Sequence, residues 1–371
     1  MPRLHFASTR DPDMFYLVRR TIADPFFFLE TSGEQFVYLN ALEIDAFNEQ
    51  NTHANLQAIA LDELYKRAKE EKVDAPYLSK MALALCKLHG IERQAIAVSN
   101  HFPLDLADFL RSQNITLAVQ SHFLPERRKK SAEEIAHIKS AVERTESAFT
   151  LIEQILRESK ITKNSLIYQT QILTSEFLKE KVELLLFENG LESPDGMIIS
   201  CGIHAAMPHH SGSGPIRPHQ TIVCDIFPRD RESGYFADVS RTFVKGTPSK
   251  KVIEMYEAVK KAQTQAAAAV RSGVEASAIH AIAAEAIQDV GFDVGEKGFI
   301  HSLGHGVGLE VHEAPHVGPN SKDTLQEGDV ITIEPGLYYP EHGGVRLEDV
   351  LIVTKNGHEN LCDYPRNFIV E

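Results

Sequence analysis

Cysteine is scarce in this chain, and what there is does not pair in sequence. Cys86, Cys201, Cys224 and Cys362 are the four cysteines among 371 residues, with no CxxC spacing. They offer no disulfide framework and suit a reducing compartment. Apolar runs are short as well. The opening Met1-Pro-Arg-Leu-His-Phe6 forms no apolar leader core, and no uninterrupted apolar stretch reaches about 18 residues. Neither a secretory leader nor a membrane span is expected, and a cytoplasmic place is. Basic charge is in deficit, with a formal net charge of −14. A polyanion is repelled by phosphate backbones, which argues against nucleic acid as a partner. The one basic tract, Arg127-Arg-Lys-Lys130, reads as the solvated face of a linker. Common catalytic signatures are missing too. The run Gly304–Gly308 lacks the Lys-Ser/Thr ending of a phosphate loop, and no GxGxxG follows an early strand. Ser211-Gly-Ser-Gly214 is not the GxSxG of a nucleophile elbow.

What is present is an ordinary globular composition, 43% hydrophobic and 24% charged, in a chain too long for one core. Two domains are expected, residues 1–125 and 126–371, with the boundary near 122–131. In the first, Phe26–Leu29 and Gln35–Leu39 flank Thr31-Ser-Gly33 as a hairpin, and Ala95–Val98 and Ile115–Val119 read as further strands. Helical periodicity at Leu61–Glu71, Tyr77–His89 and Leu104–Arg111 fills the gaps, giving a small α/β domain. The second domain opens with helices over about 132–158 and 164–181, the first started by a Ser131/Glu134 capping box. It then turns strand-rich (Met197–Ser200, Thr221–Asp225, Tyr235–Val244, Val330–Glu334, Val350–Val353), interrupted by helices at Lys251–Val270 and Ala276–Val290.

The chemistry concentrates in that second domain. Asp225 ends the apolar run Ile222-Val-Cys, an unusual place for a carboxylate unless something pairs with it. Asp238 follows thirteen residues later and would lie beside it if Phe227–Ser233 forms a turn. Glu334 closes an apolar strand ahead of Pro335-Gly336, and Glu348 follows the pair Gly343-Gly344, which suits a hairpin. Four carboxylates cannot share a buried place without cations. Two divalent ions supply four positive charges, matching four carboxylates and one neutral imidazole. His305 lies between Gly304 and Gly306, and His209 and His312 sit in segments rich in glycine, proline and acid. Such histidines point to ligation or proton transfer. Arg346, two residues from Glu348, would share its face on a strand and could hold a carboxylate through a bidentate pair.

These segments carry a resemblance. Met207-Pro-His209, Gly234-Tyr-Phe-Ala-Asp-Val-Ser-Arg-Thr-Phe243, Gly304-His-Gly-Val-Gly-Leu-Glu-Val-His312-Glu, Ile333-Glu-Pro-Gly-Leu-Tyr338 and Gly344-Val-Arg-Leu-Glu-Asp349 resemble, in order, the motifs of the pita-bread metallopeptidases. The preceding domain is similar in size to that of the proline-directed members. The resemblance implies an α+β fold, a pita-bread catalytic domain behind a smaller creatinase-like α/β domain. It implies Asp225, Asp238, His305, Glu334 and Glu348 as metal ligands, with Asp238 and Glu348 bridging two ions. His209 and His312 match substrate-side histidines, Arg346 an arginine behind the ligands, and His301 a histidine lining the site. One departure is Asp225-Ile-Phe-Pro228, where the family has a small residue and glycine; the gap to Asp238 is also two residues longer.

The implied reaction is hydrolysis of the bond between an N-terminal residue and a following proline. Glu334 would carry the proton to the leaving nitrogen and His312 would stabilise the oxyanion. Xaa-Pro aminopeptidase is the leading expectation, with Xaa-Pro dipeptidase (prolidase) as the alternative. A non-peptidase on the same fold, such as a creatine amidinohydrolase, lacks the full carboxylate set, and a binding protein would have lost ligands. Oxygen-rich ligation favours Mn²⁺, with Co²⁺, Fe²⁺ or Zn²⁺ as alternatives. The expected partner is a short proline-containing peptide, and analogy adds a homodimer.

Overall fold

The computed structural model describes residues 1–51 and 55–371. The chain divides into two compact units, Met1–Pro125 and Glu126–Glu371.

In the first unit the elements run β1 (Arg3–Ala7), α1 (Pro12–Val18), β2 (Phe26–Thr31), β3 (Glu34–Leu39), α2 (Ala41–Gln50), β4 (Leu56–Ala60), α3 (Asp62–Glu70), α4 (Tyr77–Leu88), β5 (Ile96–Ser99), α5 (Leu104–Ser112) and β6 (Leu117–Gln120). The hairpin expected at Thr31-Ser-Gly33 is there. Ser32 and Gly33 both take positive φ, 55° and 84°, as a tight two-residue turn between right-twisted strands requires. The strands form one six-stranded sheet in the order β4-β3-β2-β1-β5-β6. Because β2 is central, both of its faces are covered. Phe27 and Leu29 enter one core with α4 and α5, while Phe26 and Phe28 enter another with α1. That two-sided burial explains the unbroken apolar run. The strands β1 and β4 and the helices α1 and α2 were not anticipated. Arg3 and His5 break the apolar pattern of β1, which gains its strand character by pairing with β2 and β5.

The second unit starts on α6 (Ala132–Glu158), and its capping box forms: Glu134 N donates to Ser131 Oγ at 3.2 Å and Ser131 N to Glu134 Oε2 at 2.7 Å. The helix expected over 164–181 is displaced. Residues 160–172 form a small meander, β7 (Lys160–Ile161), β8 (Leu166–Tyr168) and β9 (Gln171–Ile172), and the helix α7 occupies Ser175–Glu188. Thr174 sets its start by capping Phe177 N at 3.2 Å. There follow β10 (Leu191–Glu192), β11 (Ile198–Cys201), β12 (Ile222–Ile226), β13 (Arg229–Asp230), β14 (Val239–Lys245), α8 (Lys250–Ala269), α9 (Ala276–Gln288), β15 (Gly304–Gly306), β16 (Glu313–Val317), β17 (Val330–Ile333), β18 (Gly336–Tyr339), β19 (Gly343–Arg346), β20 (Asp349–Val353), β21 (His358–Asn360) and β22 (Ile369–Val370). Two sheets dominate, β11-β12-β14-β22 and β16-β15-β17-β20-β21, with β18 and β19 as a separate hairpin. Helices α8 and α9 pack Val252, Met255, Val259, Ile279, Ala283 and Ile287 into one core with Ile331, Ile333, Leu337, Val345 and Leu351. This unit is α+β.

The basic run is no solvated face. Arg128 reaches Asp329 through two nitrogens at 2.9 Å each, and Lys130 is 4% exposed. Acidic groups far along the chain receive these cations, which local composition does not reveal.

Candidate metal centre

Every residue of β12 is buried, and Asp225 is its one acid. Antiparallel pairing sets Asp225 opposite Ser240 on β14. Asp238 sits two residues before Ser240, so it shares the same face beyond the end of β14. The connection Phe227–Ser233 is more than a turn. It holds β13, which pairs with β10, and Asp230 Oδ1 closes the following turn by accepting from Ser233 N at 2.6 Å. That short strand occupies the longer spacing noted in the sequence, and Tyr235–Asp238 lies outside the strand expected there.

His305 projects from β15, whose glycines permit close approach of neighbouring backbone. A Cβ at Gly304 would meet Thr332 O at 2.1 Å, and one at Gly306 would meet Ala314 O at 2.3 Å. Glu334 lies just past β17, its N donating to Leu303 O at 2.8 Å. Glu348 lies between β19 and β20, its N donating to Ser240 O at 3.1 Å.

Folding therefore collects groups spread over 124 positions of the chain. His305 Nε2 stands 3.3 Å from Glu334 Oε1 and 3.5 Å from Asp238 Oδ2. Asp238, His305 and Glu348 each offer one donor atom within 4.8 Å of the others. Asp225 Oδ2 accepts from Arg346 Nη2 at 2.5 Å. Arg346 is not the bidentate clamp expected. Its guanidinium fans out, Nε donating to Ser240 Oγ at 3.1 Å and Nη1 to Tyr338 OH at 2.9 Å and Pro208 O at 3.4 Å. Ser240 Oγ in turn donates to Glu348 Oε2 at 2.8 Å. Arg346 ends β19 and Glu348 lies beyond it, so they meet through Ser240 rather than through a shared strand face.

Tyr338 OH, accepting from Arg346, has its proton free for His301 Nε2 at 2.9 Å, and His301 Nδ1 faces Ser302 O at 2.7 Å. Both ring nitrogens of His301 are thus engaged within the protein. His209 is exposed on the loop between β11 and β12, next to the Pro208 carbonyl that Arg346 holds. The His312 ring meets the His305 ring edge-on at 4.2 Å between centroids. Ser240, Thr332 and Tyr338 were not singled out from the sequence. Ser240 could have been, because alternation in Asp238-Val-Ser240-Arg-Thr242 puts these side chains on one face. Thr332 takes His305 N at 3.1 Å and reaches Glu334 Oε1 at 3.4 Å.

The electrostatics are those of crowded acids. Burial pushes Asp238 and Glu348 well above the usual carboxylate range, and the neighbouring acids, Asp225 among them, add to it. Burial works against the His305 cation, yet its hydrogen bond and charge contact with Glu334 carry it up to about 9. Burial also opposes ionisation of Glu334, but His305 outweighs it and holds the acid below its ordinary value. Burial lowers His301. Asp225 Oδ1 is buried with no partner among the described residues. An orphaned carboxylate oxygen, two acids unable to ionise easily and an imidazole with a donor atom within 4.8 Å of both fit a cation site.

A pH prediction follows for protein held in chelator. Asp238, Glu348 and His305 have raised values in the folded state, so they bind more protons folded than unfolded as pH rises. Their stabilisation is lost above the unfolded values. Glu334 has the opposite sign, but its contribution is complete once pH passes the ordinary glutamate value near about 4.3. Histidines with lowered values, His301 among them, also have the opposite sign, and their contribution is complete above the ordinary histidine value of about 6.5. Between about pH 7 and 9, therefore, the chelated protein is expected to melt at progressively lower temperature, and saturating divalent metal to remove most of that slope. A chelated melting temperature that rises across this range would contradict the arrangement.

The model of the metallopeptidase family M24 matches residues 136–355. The chain belongs to that family. Its α+β architecture is the family's pita-bread fold. An Xaa-Pro dipeptidase of Pyrococcus furiosus is 42% identical over 191 residues, which is 51% of this chain and 53% of that protein. The chain thus spans about half the length of that relative. One from Lactobacillus delbrueckii subsp. lactis is 29% identical over 353 residues, covering 95% of this chain and 87% of that protein. The solved prolidase of Pyrococcus horikoshii OT3 superposes with a TM-score of 0.78 at 30% identity, covering 99% of this chain and 95% of that one. The matched stretch contains Asp225, Asp238, His305, Glu334 and Glu348. No helix among the described residues is long and apolar enough to cross a membrane.

Proposed function

We propose that this chain is a metal-dependent Xaa-Pro dipeptidase. The observation that carries the reading is the convergence of Asp225, Asp238, His305, Glu334 and Glu348 inside an M24 unit. The named relatives favour the dipeptidase over the aminopeptidase that the sequence put first. These five side chains would hold two divalent ions. An all-oxygen and imidazole set suits Mn²⁺, Co²⁺ or Fe²⁺ better than a thiolate metal site, and we favour Mn²⁺. Bound there, such ions would lower the pKa of water to near neutrality and polarise the scissile carbonyl.

The remaining chemistry belongs to the chain. Glu334, ionised at neutral pH, accepts a proton from the attacking water and delivers it to the leaving nitrogen, a tertiary amide nitrogen when proline follows. His312, its ring 4.2 Å edge-on from that of His305, donates to the developing oxyanion. His209, exposed on its loop, is assigned to the substrate side. Arg346 holds Asp225 and, through Ser240, Glu348 in fixed orientation. The four cysteines are unpaired, which accords with a cytoplasmic place.

The test is a panel of Xaa-Pro and Xaa-Pro-Xaa peptides with added Mn²⁺, Co²⁺ or Zn²⁺. Cleavage of dipeptides with little action on tripeptides is expected. Preference for the longer peptides would make the protein an Xaa-Pro aminopeptidase, and no cleavage of either with any metal would end the peptidase reading.

A further inference from the structure

Two cations at the entry to the second unit close on the turn that carries His312. Arg127 Nη2 donates to Glu310 Oε2 and to Glu313 Oε2, each at 2.8 Å, so one nitrogen bridges both ends of the segment 310–313. Lys130 Nζ donates to the other oxygen of Glu313, Oε1, at 2.6 Å. The Lys130 side chain is 1% exposed and that of Glu313 9%, so bulk salt screens the pair little. On its other side the Glu313 carboxylate rests against Gly308, where a Cβ would come within 2.4 Å of Oε1. Glycine alone leaves the acid that seat. Glu313 also opens β16 and lies in register with Gly306, next to His305. His312 stands between the two anchored acids and is itself exposed. An exposed imidazole takes its aim from the backbone that flanks it.

The geometry points to Glu313 as a positioning residue: gripped by Arg127 and Lys130, it directs His312 toward the reacting peptide. The proposal rests on the peptidase reading and on the role of His312 in it. Glu313 touches no substrate. It fixes the turn, and the turn fixes the imidazole. A misplacement of about 1 Å at such a group lowers turnover on the order of a hundredfold.

The test is a double-mutant cycle on the metal-loaded full chain with an Xaa-Pro dipeptide. Glu313→Gln keeps the size of the side chain but removes the charge that both cations hold, and Lys130→Met is an independent route to the same loosening. Each is expected to lower kcat on the order of a hundredfold, with KM, metal content and far-UV circular dichroism near those of the parent. In a His312→Gln background, Glu313→Gln is expected to add less than about threefold, since its effect passes through the residue already removed. Full multiplicative loss in the double variant, or unchanged kcat in both single variants, would overturn the proposal. A substrate-free readout separates it from the peptidase reading. Amide hydrogen exchange at 308–313 should quicken in Glu313→Gln and Lys130→Met. If the parent cleaves no Xaa-Pro peptide the functional reading falls, and unchanged exchange in both variants then sinks the clamp as well.

Discussion

Replacing Glu334 by alanine is expected to leave a folded protein without useful peptidase turnover, a loss on the order of 10⁴-fold. Three facts lead there. Glu334 is held just past β17 by its backbone bond to Leu303 and by Thr332. Its carboxylate stands 3.3 Å from His305 Nε2 and is kept ionised by that neighbour, so it is ready to accept a proton at neutral pH. It is also one of the acids proposed to hold the metal pair, so the substitution removes a base and a donor together. The measurement is kcat for an Xaa-Pro dipeptide on purified variant with metal content determined alongside. Turnover within tenfold of the parent in metal-loaded variant would remove Glu334 from the reaction. Glu334→Gln separates the two roles: if it binds both metals and still fails, proton transfer is the missing part.

The largest effect on stability is expected at Arg346. Arg346 is 3% exposed, and its guanidinium joins Asp225, Ser240, Tyr338 and the Pro208 carbonyl. Burial disfavours its charge, but Asp225, Glu334 and Glu348 around it hold its pKa well above the usual value. Arg346→Met keeps the apolar stem and removes the cation, leaving the acids with less to offset their repulsion. Breaking a buried ion pair by removing one partner costs about 3–5 kcal/mol. For a unit of this size that corresponds to roughly 6–20 °C in melting temperature. Thermal unfolding of chelated parent and variant measures it, and a drop under about 2 °C would mean that Arg346 is no keystone. Added metal should recover part of the loss, because bound cations take over the charge balance.

Much of the site was legible before any fold was known. Each of the five acidic and histidine positions sits in a local setting that is odd for its residue type: Asp225 at the end of an apolar strand, His305 between glycines, Glu334 before Pro-Gly. The hairpin at Ser32 and Gly33 was legible for the same reason, since positive φ at two successive positions restricts the residues that fit. The helix over 164–181 misled because apolar spacing in Leu166, Ile167 and Ile172 serves a short meander as well as a helix turn. Arg127 and Lys130 misled more. A run of four cations looks solvated until its acids are known, and the acid for Lys130 lies 183 positions away.

What the amino-acid order determined alone was therefore the set of candidate groups and the local backbone that holds each one. Strand pairing decided the rest: Asp225 opposite Ser240, Gly306 against Ile331, and the Ser240–Glu348 bridge that joins the two sheets. Those contacts set which oxygens face one another, and so which acids resist ionisation and which imidazole is charged. Such properties depend on distances of a few ångströms between residues remote in the chain, and only the tertiary structure supplies them.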